Sequence, residues 1–166
     1  GQSNADLVLM EGTISTGVTW VTHTLPYAFT GAMSRASGTT CPWILVGQAT
    51  LARWDGVAWE YAPRLPDETA AAIDEDANGL RMGSTRGTIW NRPAAGAWTE
   101  LGGASEFAPY IAVDGPAPND LWLVSQSRVQ RWNGTQLTDF ATPRGHQVTA
   151  IAVRNPSMLA WLVARE

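Results

Sequence analysis

The sequence predicts an all-β protein, a small β-propeller of four four-stranded blades whose last blade is closed by strands from both termini. Two interleaved series of residues predict it. Alanine recurs every 40 positions, at Ala32, Ala72, Ala112 and Ala152, each inside a short apolar string. A second series recurs every 39 positions, at Trp20, Trp59, Trp98 and Leu137, each led by a glycine: Gly17, Gly56, Gly96 and Gly134. The composition agrees, because nine Trp in 166 residues are most simply explained by a bulky strand-forming residue carried in every repeat.

Each unit reads as four short strands. The first is the alanine string, AFTGAM in one copy and TAIAV in another; small Ala suits the crowded axis of a propeller. The run Ala70–Ala72 is compatible with a helix, but its copies IAV and AIAV are β-branched and read as strand. A turn such as DEDANG or GPAPND leads to an apolar second strand, WILVG, LRMGS, LWLVS or AWLVA. The third strand is TLARW, GTIWN or RVQRW, and a Gly turn, WDG or WNG, opens the fourth: AWEYA, AWTEL or QLTDF. Short strands punctuated by Gly, Pro, Asn and Asp at this spacing are the mark of an all-β fold. The whole of 1–166 is read as one domain, with repeats of roughly 18–56, 57–96, 97–134 and 135–166 plus 4–17. Residues 6–25 supply only third and fourth strands, and 146–166 only first and second. Joined, they complete the missing blade. Four blades then close alone, as a monomer, or two chains form an eight-bladed homodimeric ring with this clasp made in trans.

Composition excludes several classes of function. The formal net charge is -4, and all 11 basic residues are Arg, scattered along the chain. No nucleic-acid partner is expected from such a balance. No apolar run approaches the ~20 residues of a membrane-spanning helix, so no membrane insertion is expected. The single Cys41 rules out an intrachain disulfide and reads as a small apolar filler. No cofactor is implied.

The string TAAAIDEDANGLRMGSTRGTIWN, from Thr69 to Asn91, resembles the blades of bacterial β-propeller repeat proteins. GHQVTAIAV, from Gly145 to Val153, looks like the start of a WD-type repeat, and APNDLWLV, from Ala117 to Val124, resembles a phrase common in bacterial extracellular propellers. RWDGVAW is similar to a sialidase-type Asp-box but lacks the leading Ser or Thr. The resemblance covers nearly the whole chain and concerns architecture. It implies an extracellular or periplasmic setting, and it leaves function open, since propellers host lectins, hydrolases and scaffolds.

The candidate sites follow from the repeat. The inter-blade loops and the connections between second and third strands offer a binding face, with Arg64, Arg86, Phe107, Tyr110, Arg128, Arg144 and His146 as its anchors. Just beyond each inner strand, Ser34, Asp74, Asp114 and Arg154 are expected to face one another around the mouth of a channel. Asp74, Asp76 and Asn78 match the first half of a calcium loop, but Met82 and Thr85 stand where its later ligands belong. An Asn-Gly turn is therefore the better reading, and no metal site is assigned. Asn133-Gly-Thr135 has the form of a glycosylation sequon and reads as a Gly turn. No catalytic motif is present, so the expected function is a non-catalytic binding or protein-interaction scaffold, its partner another protein. The alternatives are a carbohydrate-binding lectin, with the Trp rings stacking on a glycan, and a glycosidase-like hydrolase.

Overall fold

The computed structural model describes residues 8–14, 18–24, 29–33, 42–46, 50–65, 68–103, 109–126, 128–142, 147–154 and 159–165. Among them the chain forms antiparallel strands in five sheets. β1 (Val8–Ile14) pairs with β2 (Val18–Thr24). Three four-stranded sheets follow, each in simple meander order. The first holds β3 (Phe29–Met33), β4 (Ile44–Val46), β5 (Thr50–Trp54) and β6 (Trp59–Tyr61). The second holds β7 (Ala70–Asp76), β8 (Gly79–Ser84), β9 (Thr88–Pro93) and β10 (Thr99–Gly103). The third holds β11 (Tyr110–Ala117), β12 (Asp120–Ser125), β13 (Val129–Trp132) and β14 (Leu137–Phe140). The chain ends in the pair β15 (Gln147–Arg154) and β16 (Leu159–Arg165).

Local chemistry explains the turns. In the first complete sheet Asp55 Oδ1 accepts the backbone N–H groups of Val57 and Ala58, both at 2.8 Å. Those two donors hold the Asp55 carboxyl below its ordinary value. In the third sheet Asn133 Oδ1 does the same for Thr135 and Gln136, at 3.0 and 2.8 Å. A glycine with positive φ follows in each, Gly56 at 106° and Gly134 at 95°. WDG and WNG are thus one device, and the Asn of the sequon form is spent on its own turn. Gly79, with φ at 136°, admits no side chain, because a Cβ there would lie 2.1 Å from the Arg92 carbonyl oxygen.

The core lies between sheets. Trp43, Leu45 and Leu51 of the first complete sheet pack with Ala70, Ile73, Leu80, Met82 and Trp90 of the second. Ala72 and Ile89 of the second pack with Tyr110, Val113, Leu121, Leu123 and Trp132 of the third. Val124 and Val129 of the third pack with Val148 of β15. First strands succeed one another across these seams: β3 packs on β7, β7 on β11 and β11 on β15.

Two expectations are corrected here. Among the described residues, the terminal pairs β1–β2 and β15–β16 are separate sheets, so the clasp expected to close a fourth blade within the chain is not formed. The row of first strands runs from β3 to β15, and β15 does not pack on β3 as its predecessors pack on their successors. The second correction concerns register. The matching second-strand residues Ile44, Arg81, Trp122 and Trp161 face Met33, Asp74, Asp114 and Ala152. The same bulge recurs in three of these first strands, at Ala70/Ala72, Tyr110/Ala112 and Val148/Ala150, so the count shifts earlier, where the path into β15 is shorter and β14 lacks the Glu100/Gly102 bulge of β10. The alanine slot is therefore Ala72, Ala112 and Ala150, not Ala152.

The seam between the second and third sheets is tight enough to test. A Cβ on Gly83 would stand 2.6 Å from the Tyr110 Cβ. Gly83→Ala should therefore lower unfolding stability by about 1–3 kcal/mol, the usual cost of overpacking, read as a fall in the urea midpoint with unchanged slope.

Candidate functional site

A cavity of about 260 Å³ opens at one end of the seam between the first and second complete sheets. Trp43, Arg53 and Glu60 line it from one side, and Glu75, Asp76, Leu80 and Arg92 from the other. Strand pairing places the charged groups. Arg53 on β5 faces Glu60 on β6, and its Nε and Nη2 donate to Glu60 Oε2 at 3.1 and 2.6 Å. Its Nη1 crosses the seam to Glu75 Oε1 at 3.2 Å. The guanidinium carbon lies 4.7 Å from the centre of the Trp43 ring, within cation–π range. Arg53 is thus clamped by two carboxylates and an aromatic face.

Glu75 is the strained member of the group. Its side chain is 10% exposed, and its Oε2 is buried without a hydrogen-bond partner. Burial pushes its carboxyl above the ordinary value. The Arg53 charge and the Trp43 N–H oppose that rise, and neighbouring Asp74 and Glu60 add to it. Arg92, on β9 opposite Leu80, differs from Arg53. Its Nε donates to the Gly96 carbonyl at 3.1 Å, and among the described residues it has no carboxylate partner.

Beside the cavity Arg81 is buried between two acids. Its Nε and Nη2 donate to Asp74 Oδ2, the former at 3.1 Å, and its Nη1 to Asp76 Oδ2 at 2.6 Å. In the structure it is the Arg81 guanidinium that lies between Asp74 and Asp76, the place the calcium reading gives to a metal ion. Asn78 completes the turn instead, its backbone N–H donating to Asp76 Oδ1 at 2.7 Å. Of the expected rim, Asp74 binds Arg81 of its own sheet, whereas Asp114 Oδ2 accepts the Val153 N–H of β15 at 2.7 Å. Arg154 falls two positions past the matching slot, which Ala152 occupies, and Ser34 lies outside the described residues.

Of the expected binding face, Arg64 and Arg86 are exposed. Arg128 is partly exposed and pairs with Asp139 at 3.4 Å. Tyr110 is not an anchor: it is wholly buried, because as the first residue of an inner strand it fills the seam above Gly83. Its hydroxyl donates to Gln130 Oε1 at 3.0 Å. Burial, then the Asp139 charge, pushes its pKa up to about 12. Phe107, Arg144 and His146 lie outside the described residues. Arg86 follows β8 at Ser84, whereas the cavity meets β8 at Gly79 and Leu80. The cavity is therefore at the opposite end of the strands from the loops singled out by sequence. Sequence reasoning missed Trp43, Arg53, Glu60, Glu75 and Arg92. One signal pointed there: Arg53 and Arg92 are separated by the same 39 positions as Trp59 and Trp98.

No protein-family model and no curated protein sequence matches the chain. Solved structures do. A catalytically inactive virginiamycin B lyase of Staphylococcus aureus with quinupristin matches 98% of this chain and 60% of its own, at 14% identity and a TM-score of 0.74. YCF48 bound to D1 peptide matches 96% of this chain and 56% of its own, at 20% identity and a TM-score of 0.65. The computationally designed Ika4 protein matches 86% of this chain and 94% of its own, at 14% identity and a TM-score of 0.54. The fold is of the β-propeller type. The chain spans less than two thirds of the lyase and YCF48 chains.

The raised Glu75 carboxyl fixes the sign of a pH effect. The folded state holds that proton more tightly than the unfolded chain, so stability falls as pH rises from the ordinary value of 4.5 through the raised one. Glu75→Gln should flatten that part of the profile, measured as urea midpoints between about pH 4 and 7. Removal of Arg81, which is 1% exposed, should cost about 3–5 kcal/mol because it strands buried carboxylates. Arg81→Met alone should be more damaging than Arg81→Met combined with Asp74→Asn, measured by the same denaturation.

Proposed function

We propose that the chain is a non-catalytic binding module for another protein, and that the cavity between its first two complete sheets receives an acidic side chain of the partner. The observation that carries this is Arg92. It lines a cavity whose other arginine is neutralised by Glu60 and Glu75, and it has no carboxylate of its own among the described residues. A carboxylate on a partner supplies the missing half of a charge-assisted pair. Trp43 and Leu80 line the same cavity, and apolar surroundings strengthen such a pair relative to open water. YCF48, of similar fold, holds a peptide, which is consistent with a peptide segment as ligand.

Glycan binding is less well supported, since it would be expected to use open Trp faces, and those described are covered wholly or in part. Trp43, Trp90 and Trp132 are buried, and Trp54, Trp59, Trp98 and Trp122 are half-buried. Trp98 is further fixed by donating its Nε1–H to the Pro63 carbonyl at 2.7 Å.

Selection from a random peptide display library tests the reading. Retained peptides should be enriched in Asp or Glu at one position. Replacing that acid by Asn or Gln should weaken binding about tenfold, in keeping with a charge-assisted hydrogen bond. Arg92→Glu should abolish retention while leaving the unfolding free energy, read by urea denaturation, within about 0.5 kcal/mol of the parent, as expected for a surface change. Acid-independent peptides, or retention unaffected by Arg92→Glu, would refute the proposal. Glycan-array binding with no peptide retained would favour the lectin reading.

A further inference from the structure

The charges around the cavity do not cancel, and the imbalance describes the ligand more closely than Arg92 alone. Arg53 is one cation shared by two carboxylates, Glu60 and Glu75. Arg81, beside the cavity, is likewise one cation shared by Asp74 and Asp76. Each group keeps one negative charge in excess, and Arg92 offsets only one of the two. An acid from a partner satisfies Arg92 and restores the full excess, unless a cation enters with it.

The uncommitted atoms of the lining show where that cation goes. The Glu60 side chain is 42% exposed. The Arg53 donors that reach it, Nε and Nη2, both go to Oε2, and among the described residues its Oε1 accepts nothing. Glu75 Oε2 also lacks a partner, but it is buried, so an incoming group meets Glu60 first. On the other side Arg92 spends its Nε on the Gly96 carbonyl, and its two terminal nitrogens are uncommitted among the described residues. One cavity of about 260 Å³ thus presents a two-pronged donor and an open carboxylate oxygen.

A single extended segment can serve both groups. Residues two apart in a strand point the same way and lie about 7 Å apart. We propose that the partner segment carries a Lys or Arg within two residues of its acid, the acid pairing with Arg92 and the base with Glu60. This rests on the acid-binding reading above and adds its selectivity. The base cancels the excess charge that Arg53 leaves on Glu60 and Glu75. A segment with an acid and no base meets the repulsion of Glu60 and Asp76, which also line the cavity, and like charges placed against a wrong partner are a source of specificity.

The random peptide display library, selected in parallel on the parent chain and on Glu60→Gln, is the test. Peptides retained by the parent should carry Lys or Arg within two residues of the enriched acid. Peptides retained by Glu60→Gln should lose that base preference, because Arg53 then faces one carboxylate only. In a synthetic copy of the best-retained peptide, replacing the base by Gln should weaken binding to the parent about fivefold, as for a partly exposed ion pair. The same replacement should weaken binding to Glu60→Gln less than about twofold, the mark of two groups that act on each other. The peptide substitution on the parent chain needs no protein variant, so it decides the matter even where Glu60→Gln folds poorly. Acid-bearing peptides with no base preference overturn this inference and leave the acid-binding reading standing. So does a base whose loss costs both chains equally. Peptides enriched in neither charge, or in a base alone, overturn both.

Discussion

Every sheet of this protein has to bury its face against the next sheet, because no other apolar layer is available to it. The buried residues bear this out: they gather in the seams, Trp43 and Trp90 in one, Tyr110 and Trp132 in the next, and Val148 in the last. Stability in such an architecture is close to a sum of nearest-neighbour terms, so a sheet with a neighbour on one side only has half its interface unmet. The polar ties follow the same seams. Arg53 reaches Glu75, Trp98 reaches the Pro63 carbonyl, and Asp114 reaches the Val153 N–H. Each fixes the rotation of one sheet on the next, where apolar contact alone would permit sliding.

The seams differ in chemistry, and that difference places the cavity. Between the second and third complete sheets, Tyr110 and Gly83 fit so closely that no methyl group could be added. Between the first and second, the rim carries Arg53, Glu60, Glu75 and Arg92. Charged groups need room for solvent or partners, and burying them fully carries a desolvation cost that only good pairing offsets. Arg81 shows the offset at its fullest, with two carboxylates arranged around one guanidinium. Glu75 shows it incomplete, with one oxygen bonded and the other not. The gap in packing therefore appears beside the incompletely paired group.

Much of the architecture was legible in the sequence because the repeat writes each element several times. The strand order, the meander within each sheet and the use of Asp55–Gly56 and Asn133–Gly134 as equivalent turns are all local properties, and local chemistry sets them. The register of the last copy was not legible. β10 carries a bulge at Glu100/Gly102 that β14 lacks, and a bulge adds a residue to the backbone without adding one to the face of the sheet, so the path into β15 is shorter and Ala150 took the slot while Ala152 kept the arithmetic spacing. Tyr110 was misplaced for a related reason. An aromatic at the start of a strand reads as a loop anchor until the neighbouring Gly83 shows the space made for it. Arg53 and Glu75 were missed because they belong to different blades, and a comparison of equivalent positions does not reveal which residues meet across a seam.

The same reasoning separates the cavity from the terminal pairs. The cavity is built from β5, β6, β7, β8 and β9 and from residues beside them, all within two complete sheets in direct contact. Among the described residues, nothing in its lining comes from β1, β2, β15 or β16. A change in a terminal pair therefore acts on the stability of that pair and leaves the charge arrangement at Arg92 unchanged. A nearest-neighbour structure separates the two by construction. Damage to a terminal pair is felt in the adjoining seam, and the seam that carries the cavity lies two sheets away from the β15 end.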